Sequence, residues 1–251
     1  MSSLPPTPED GDDSFLDDQD WSGPELSTAT ISDPDYAQAL IRQQIQRTLV
    51  ITETAFLASA AALIWLINFY VPAGPLLRIF FPIPVALIYL RWHRRAAWMG
   101  AIVSALLLSV LMGPPRSLQY LLPHGILGVV LGGLWKQKAP WHISLFWGAV
   151  LGSIGFFFQI LVVSALLGEN LWIYVNQQVT SFLDWALVQL GILLIPSFGL
   201  VQATAVVLVF CQSYVYALIV HMVAWRLLAR LGNPIPDPPA WLEAVLVDRD
   251  V

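Results

Sequence analysis

Residues 76–112 read LLRIFFPIPVALIYLRWHRRAAWMGAIVSALLLSVLM. Two apolar runs, 76–90 and 96–112, flank the basic turn Arg91-Trp92-His93-Arg94-Arg95. Hydrocarbon accepts apolar runs of about this length as helices, because a helix satisfies its own backbone hydrogen bonds. Arginines are costly in that medium and stay at its edge. The stretch therefore predicts two membrane helices joined by a short loop on the side that retains positive charge. Pro82 and Pro84, near the start of the first run, predict a bend or local unwinding there.

The surrounding chain repeats the pattern. Hydrophobic residues make up 57% of the 251, charged residues 12%, and mean hydropathy is +0.67. A soluble domain carries about twice that charge. Further runs lie at 49–70, ending at the breaker Val71-Pro72-Ala73-Gly74-Pro75, at 117–134 with Pro123-His124-Gly125 inside it, at 142–167, and at 200–229. Gly113-Pro114-Pro115 closes the 96–112 run. The expected fold class is an all-α polytopic membrane bundle of about six transmembrane helices. Residues 36–231 form this domain, with Tyr36, Leu40, Ile41 and Ile45 on an interfacial lead-in helix that starts near Ser32-Asp33-Pro34.

Net charge of −5 averages three unlike pieces. Residues 1–35 hold ten acids and no Lys or Arg, and predict a disordered acidic tail without a signal peptide. Residues 232–251 form a Pro-rich acidic C-terminal tail. With six alternating spans, Arg42, Arg47, Arg91, Arg94, Arg95, Lys136, Lys138, Arg226 and Arg230 share one side, and only Arg78 and Arg116 the other. The positive-inside bias places both termini in the cytoplasm. A seventh crossing at 170–199 would send Arg226 and Arg230 outside. That segment instead gathers Asn176, Gln177, Thr180, Ser181 and Asp184 on one face, and predicts an outer amphipathic or re-entrant helix.

Chemistry-bearing groups are sparse. There is no phosphate loop, no His/Glu metal pattern and no nucleophile elbow, and the lone Cys211 excludes a disulfide within the chain. No catalytic residue, metal, cofactor or nucleic-acid partner is expected, and an enzyme is the least supported reading. Polar groups at membrane depth point to function by default. Asn68, His124, Gln159, Asp184 and Gln189 are the candidate ligand-binding residues, should they share a cavity at the outer level. Ala58 with Ala62, Gly128 with Gly132, and Gly148 with Gly152 repeat at four-residue spacing, which lets helix backbones approach closely.

The order of these features carries a resemblance. A first span with Ala58 and Ala62 leads to a Pro/Gly loop, then to Phe81-Pro82-Ile83-Pro84-Val85 and the Arg-rich turn. A small-residue third span follows, and the fourth, Leu122-Pro123-His124-Gly125-Ile126-Leu127-Gly128, closes on Lys136-Gln137-Lys138. This resembles the YybS-like predicted membrane proteins of unknown function, in what looks like their cyanobacterial or plastid branch. More distantly it is similar to the substrate-binding S components of energy-coupling-factor transporters. The resemblance implies a plasma or thylakoid membrane protein that binds a small molecule from outside. It also implies that Ala58 and Ala62 dock a coupling subunit, and that the 71–78 loop and 170–190 lie near the ligand. The alternative function is a membrane scaffold or assembly factor that recruits a client through its acidic tail.

Overall fold

The computed structural model describes residues 34–71, 75–191 and 196–239, and every regular element among them is helical. The acidic tail, apart from Pro34 and Asp35, and residues 240–251 lie outside the described residues. The chain divides into two units, 1–48 and 49–251. The first unit contributes the opening turns of α1 (Pro34–Tyr70), where Leu40, Ile41 and Ile45 are exposed. Pro34 is the first helical residue, a position where a missing N–H costs nothing.

The second unit continues α1 and adds the short α2 (Pro75–Arg78), α3 (Ile83–Met112) and α4 (Pro114–Tyr120). A π-helical turn (Leu121–Gly125) then leads into α5 (Ile126–Lys136). α6 (Trp141–Leu167), α7 (Leu171–Gln189) and α8 (Phe198–Arg230) complete it. Among the described residues, five helical stretches are long and apolar enough to cross a membrane: Ala37–Tyr70, Leu76–Met112, Pro114–Lys136, Trp141–Leu167 and Phe198–Arg230. Phe56, Leu106, Val110, Leu161 and Val215 stand exposed on them. So much bare apolar surface suits lipid and not water.

By length and composition the expected second and third spans thus fall in one stretch. Its backbone says more. His93 leaves the helical region at φ 77° and ψ 175°, and beyond it the chain turns back. A Cβ built on Gly100 would meet Ile88 Cδ1 at 2.5 Å, whereas an unbroken helix would hold residues 88 and 100 about 18 Å apart. Val85, Ile88, Ala97 and Ala101 accordingly share one buried cluster. α3 is a helical hairpin with its turn among the arginines. The His93 backbone sits where glycine is favoured, a strain of about 1–3 kcal/mol. Lys136 holds the turn, donating from Nζ to His93 Nδ1 at 2.9 Å and to the Leu90 carbonyl at 3.2 Å. Glu53 of α1 closes the same end by pairing with Arg91 and accepting from Trp92 Nε1 at 2.6 Å.

Small residues set the remaining contacts. A Cβ on Gly128 would lie 2.6 Å from the Pro82 carbonyl oxygen, and one on Gly132 2.6 Å from Tyr89 Cβ. The two sequences advance together, so α5 runs parallel to the first arm of α3. Gly148 faces Ala217 and Gly152 faces Ser213, so α6 and α8 run antiparallel. Ala58 and Ala62 are buried by this chain's own second α3 arm. The Ser104 hydroxyl donates to the Ala58 carbonyl at 2.9 Å, and Ala62 clusters with Ala105 and Leu108. The face that the S-component resemblance assigned to a coupling subunit is filled within the chain.

The α7 helix is not among the five long apolar stretches. Trp172, Val175, Val179 and Leu183 of α7 all pack around Val201 and Ala205. Gly168, at φ 72°, ends α6 with its N–H on the Ser164 carbonyl, and the Asn170 side chain caps α7. α7 therefore links the end of α6 to the start of α8 and packs on the first turns of α8. Asp184 is exposed on it, as are Ile173, Phe182 and Trp185.

Candidate functional site

At the end of the bundle opposite Lys136 and His93, the helices part around a cavity of about 350 Å³. This lies within the roughly 300–1,000 Å³ of small-molecule sites. Its floor follows from Pro123. A proline inside a helix removes a hydrogen bond and crowds the preceding turn, and here the backbone widens into the π-helical turn Leu121–Gly125. Gly155 of α6 admits this bulge, since a Cβ there would stand 2.5 Å from Pro123 Cβ. The wider turn sets His124 in the lining.

His124 is surrounded by rings. Its centroid is 4.9 Å from Phe81, 5.4 Å from Trp65 and 6.2 Å from Tyr216. Its Nδ1 is buried with no hydrogen-bond partner among the described residues. Such an atom forfeits about 1–3 kcal/mol, a cost the surrounding ring packing must offset. Higher on the walls stand Asn68, Gln119, Gln159 and Gln212.

Two arginines complete the lining, Arg78 and Arg116. Arg116 lies over the Phe69 ring with its guanidinium carbon 3.9 Å from the centroid, a cation–π arrangement that fixes its direction. Tyr216 donates to the Arg78 main-chain carbonyl at 2.8 Å, tying α2 to α8. Among the described residues neither guanidinium forms an ion pair and no carboxylate lines the cavity. A charge at the centre of a bilayer costs about 2.5–3.5 kcal/mol on insertion scales, so these groups belong at the cavity mouth, near water.

The structure thus brings together Asn68, His124 and Gln159 of the expected ligand residues. Asp184 and Gln189 are exposed on α7 and are not part of this lining. Residues 72–74 of the first loop lie outside the described residues, but Arg78 at its end reaches the site. Arg78 and Arg116 were missed as site residues. Their signal was present in the charge count: they are the two cations on the side the bias leaves bare. Gln202 serves as interhelical glue, accepting from Trp172 Nε1 at 3.2 Å. Among the described residues no three His, Cys, Asp or Glu side chains are grouped to hold a metal ion.

Fold and cavity define an integral multi-pass helical membrane protein. The chain belongs to the predicted membrane protein family DUF2232, whose family model matches residues 59–246 and so takes in the whole cavity lining. No curated protein and no solved structure matches it.

Proposed function

We propose that the chain is a solute-binding membrane protein of the S-component kind, which takes a small molecule into this cavity and passes or reports it through a partner. The observation that carries this reading is the lining itself. Amides, an imidazole and two guanidiniums with no ion-pair partner among the described residues line one space within an otherwise apolar bundle. Helices that merely scaffold one another fill such space with side chains.

The α3 hairpin supports six crossings, with Leu76–Met112 counting twice. Lys136, Arg91 and the His93 turn then face the cytoplasm by the positive-inside rule, and the cavity opens on the other face. Cysteine labelling tests this sidedness. In a Cys211→Ser background, Ser181→Cys will react with a membrane-impermeant maleimide in intact cells. Gln137→Cys will react only after permeabilisation. The reverse pattern would invert the topology and turn the cavity inward.

The binding reading is tested by purifying the full chain from its native membrane and analysing bound small molecules by mass spectrometry. Wild-type protein should retain a compound that Asn68→Trp, which fills the mouth, releases. If both preparations carry the same molecules, the cavity is not a binding site.

A further inference from the structure

We propose that the ligand is a small organic anion built on a flat ring, its acid group held by Arg78 and Arg116 and its ring lying against the wall formed by Trp65, Phe81 and His124. The inference rests on the reading of the cavity as a solute site and goes further by naming the chemistry.

Among the described residues, the lining carries two guanidiniums and no carboxylate. Both cations lack an ion-pair partner among the described residues, so the lining carries a net positive charge. An anion relieves that imbalance. A carboxylate or phosphate group also matches the planar donor fork of arginine, which a cation or a neutral solute leaves unused. Arg116 is already oriented by the Phe69 ring, and Arg78 sits on a turn anchored by the Tyr216 hydroxyl. Little freedom remains to be lost when an anion binds.

The deeper half has the opposite character. Trp65 packs at 4.8 Å from Phe81, and both rings meet His124 at tilted or edge-on angles, giving the cavity aromatic, largely apolar walls. Such walls favour a planar ring, which stacks or meets edges, over a flexible chain. An anionic lipid headgroup shares the acid chemistry and could approach the same arginines. Its acyl chains, however, have no use for the ring-lined floor, and on that ground the occupant is a dissolved acid.

The full chain in phosphatidylcholine nanodiscs is titrated with 2-naphthoate and with the isosteric neutral 2-naphthamide. Naphthoate should bind at least about tenfold more tightly, the gain expected from charge-assisted pairing. The doubly substituted R78Q/R116Q protein should lose that preference and still bind the amide. Both arginines are exposed, so its thermal midpoint should match wild type and separate lost binding from lost folding. Equal binding of acid and amide, both abolished by Asn68→Trp, would overturn the anion assignment and leave the solute site standing. Binding of neither compound, with Asn68→Trp changing nothing, would overturn both. Replacing about a third of the lipid with phosphatidylglycerol should leave naphthoate affinity unchanged. Loss of naphthoate binding in those discs would reassign the arginines to a lipid headgroup and refute the proposal.

Discussion

Replacing Gly132 with leucine will prevent the bundle from assembling, and even alanine there will destabilise it. A Cβ at Gly132 would stand 2.6 Å from Tyr89 Cβ, 2.8 Å from the Ala86 carbonyl oxygen and 3.0 Å from Ala86 Cα. Two of these three atoms are backbone, so relief requires moving a helix. Overpacking of this kind costs about 1–3 kcal/mol, occasionally more, against a total stability of about 5–15 kcal/mol. Gly133 supplies the control. A Cβ there would meet the far end of the Tyr89 ring at 3.2 Å, which a small rotation can relieve. Both changes to alanine should gain about 1 kcal/mol of helix propensity. Gly133→Ala should therefore be neutral or stabilising, while Gly132→Ala lowers the thermal midpoint and Gly132→Leu abolishes the monodisperse peak in size-exclusion chromatography. Equal effects at the two glycines would show that propensity, not the close approach of α5 to α3, governs this helix.

The same glycines mark how far the sequence could be read. Four-residue spacing declares that a helix face is small and that something approaches it closely; it does not say what. For Gly128 and Gly132 the neighbour is the first arm of α3, and for Gly148 and Gly152 it is α8. Ala58 and Ala62 carry the identical signal, and a partner subunit was expected there. The structure places the chain's own Ser104 and Ala105 against them. The hairpin was legible for a different reason. Three arginines between two apolar runs leave one economical solution, a turn at the membrane edge, and His93 makes it.

Polar positions were legible singly and not as a set. Asn68, His124 and Gln159 stood out because polar groups are rare in apolar runs, and they do line one cavity. The stripe through Asp184 stood out by periodicity, but a helical wheel reports which residues share a face and nothing about what that face meets. On α7 the buried side is the apolar one, Val179 against Val201 and Ala205. Arg78 and Arg116 were counted as charges for topology. Their convergence depends on the π-helical turn and on the placement of α2 beside α8, tertiary facts that no local pattern encodes.

The second large effect is expected at His221, at the end of the bundle opposite the cavity. Its ring is fully buried between Trp135 and Trp141, with centroids 5.2 and 5.5 Å away. Nδ1 lies 2.7 Å from the Ala217 carbonyl, a partner that can only accept, so Nδ1 carries the hydrogen and donates. Nε2 then accepts from the Ser144 hydroxyl, also at 2.7 Å. One neutral side chain thus joins α6 to α8 and satisfies both of its own polar atoms. His221→Ala opens a cavity between two indoles and should cost about 2–4 kcal/mol, read as an earlier midpoint in equilibrium unfolding of the micelle-bound chain. Ser144→Ala alone should cost about 1 kcal/mol, the usual net worth of one buried hydrogen bond. The double variant decides how these losses are linked. Without the imidazole, the Ser144 hydroxyl can still donate to the Trp141 carbonyl at 3.1 Å, so it is not stranded. Removing it in the His221→Ala background should therefore be nearly free, and the two costs should not add. Strict additivity would mean that Ser144 never held the ring, and that His221 joins the helices by packing alone.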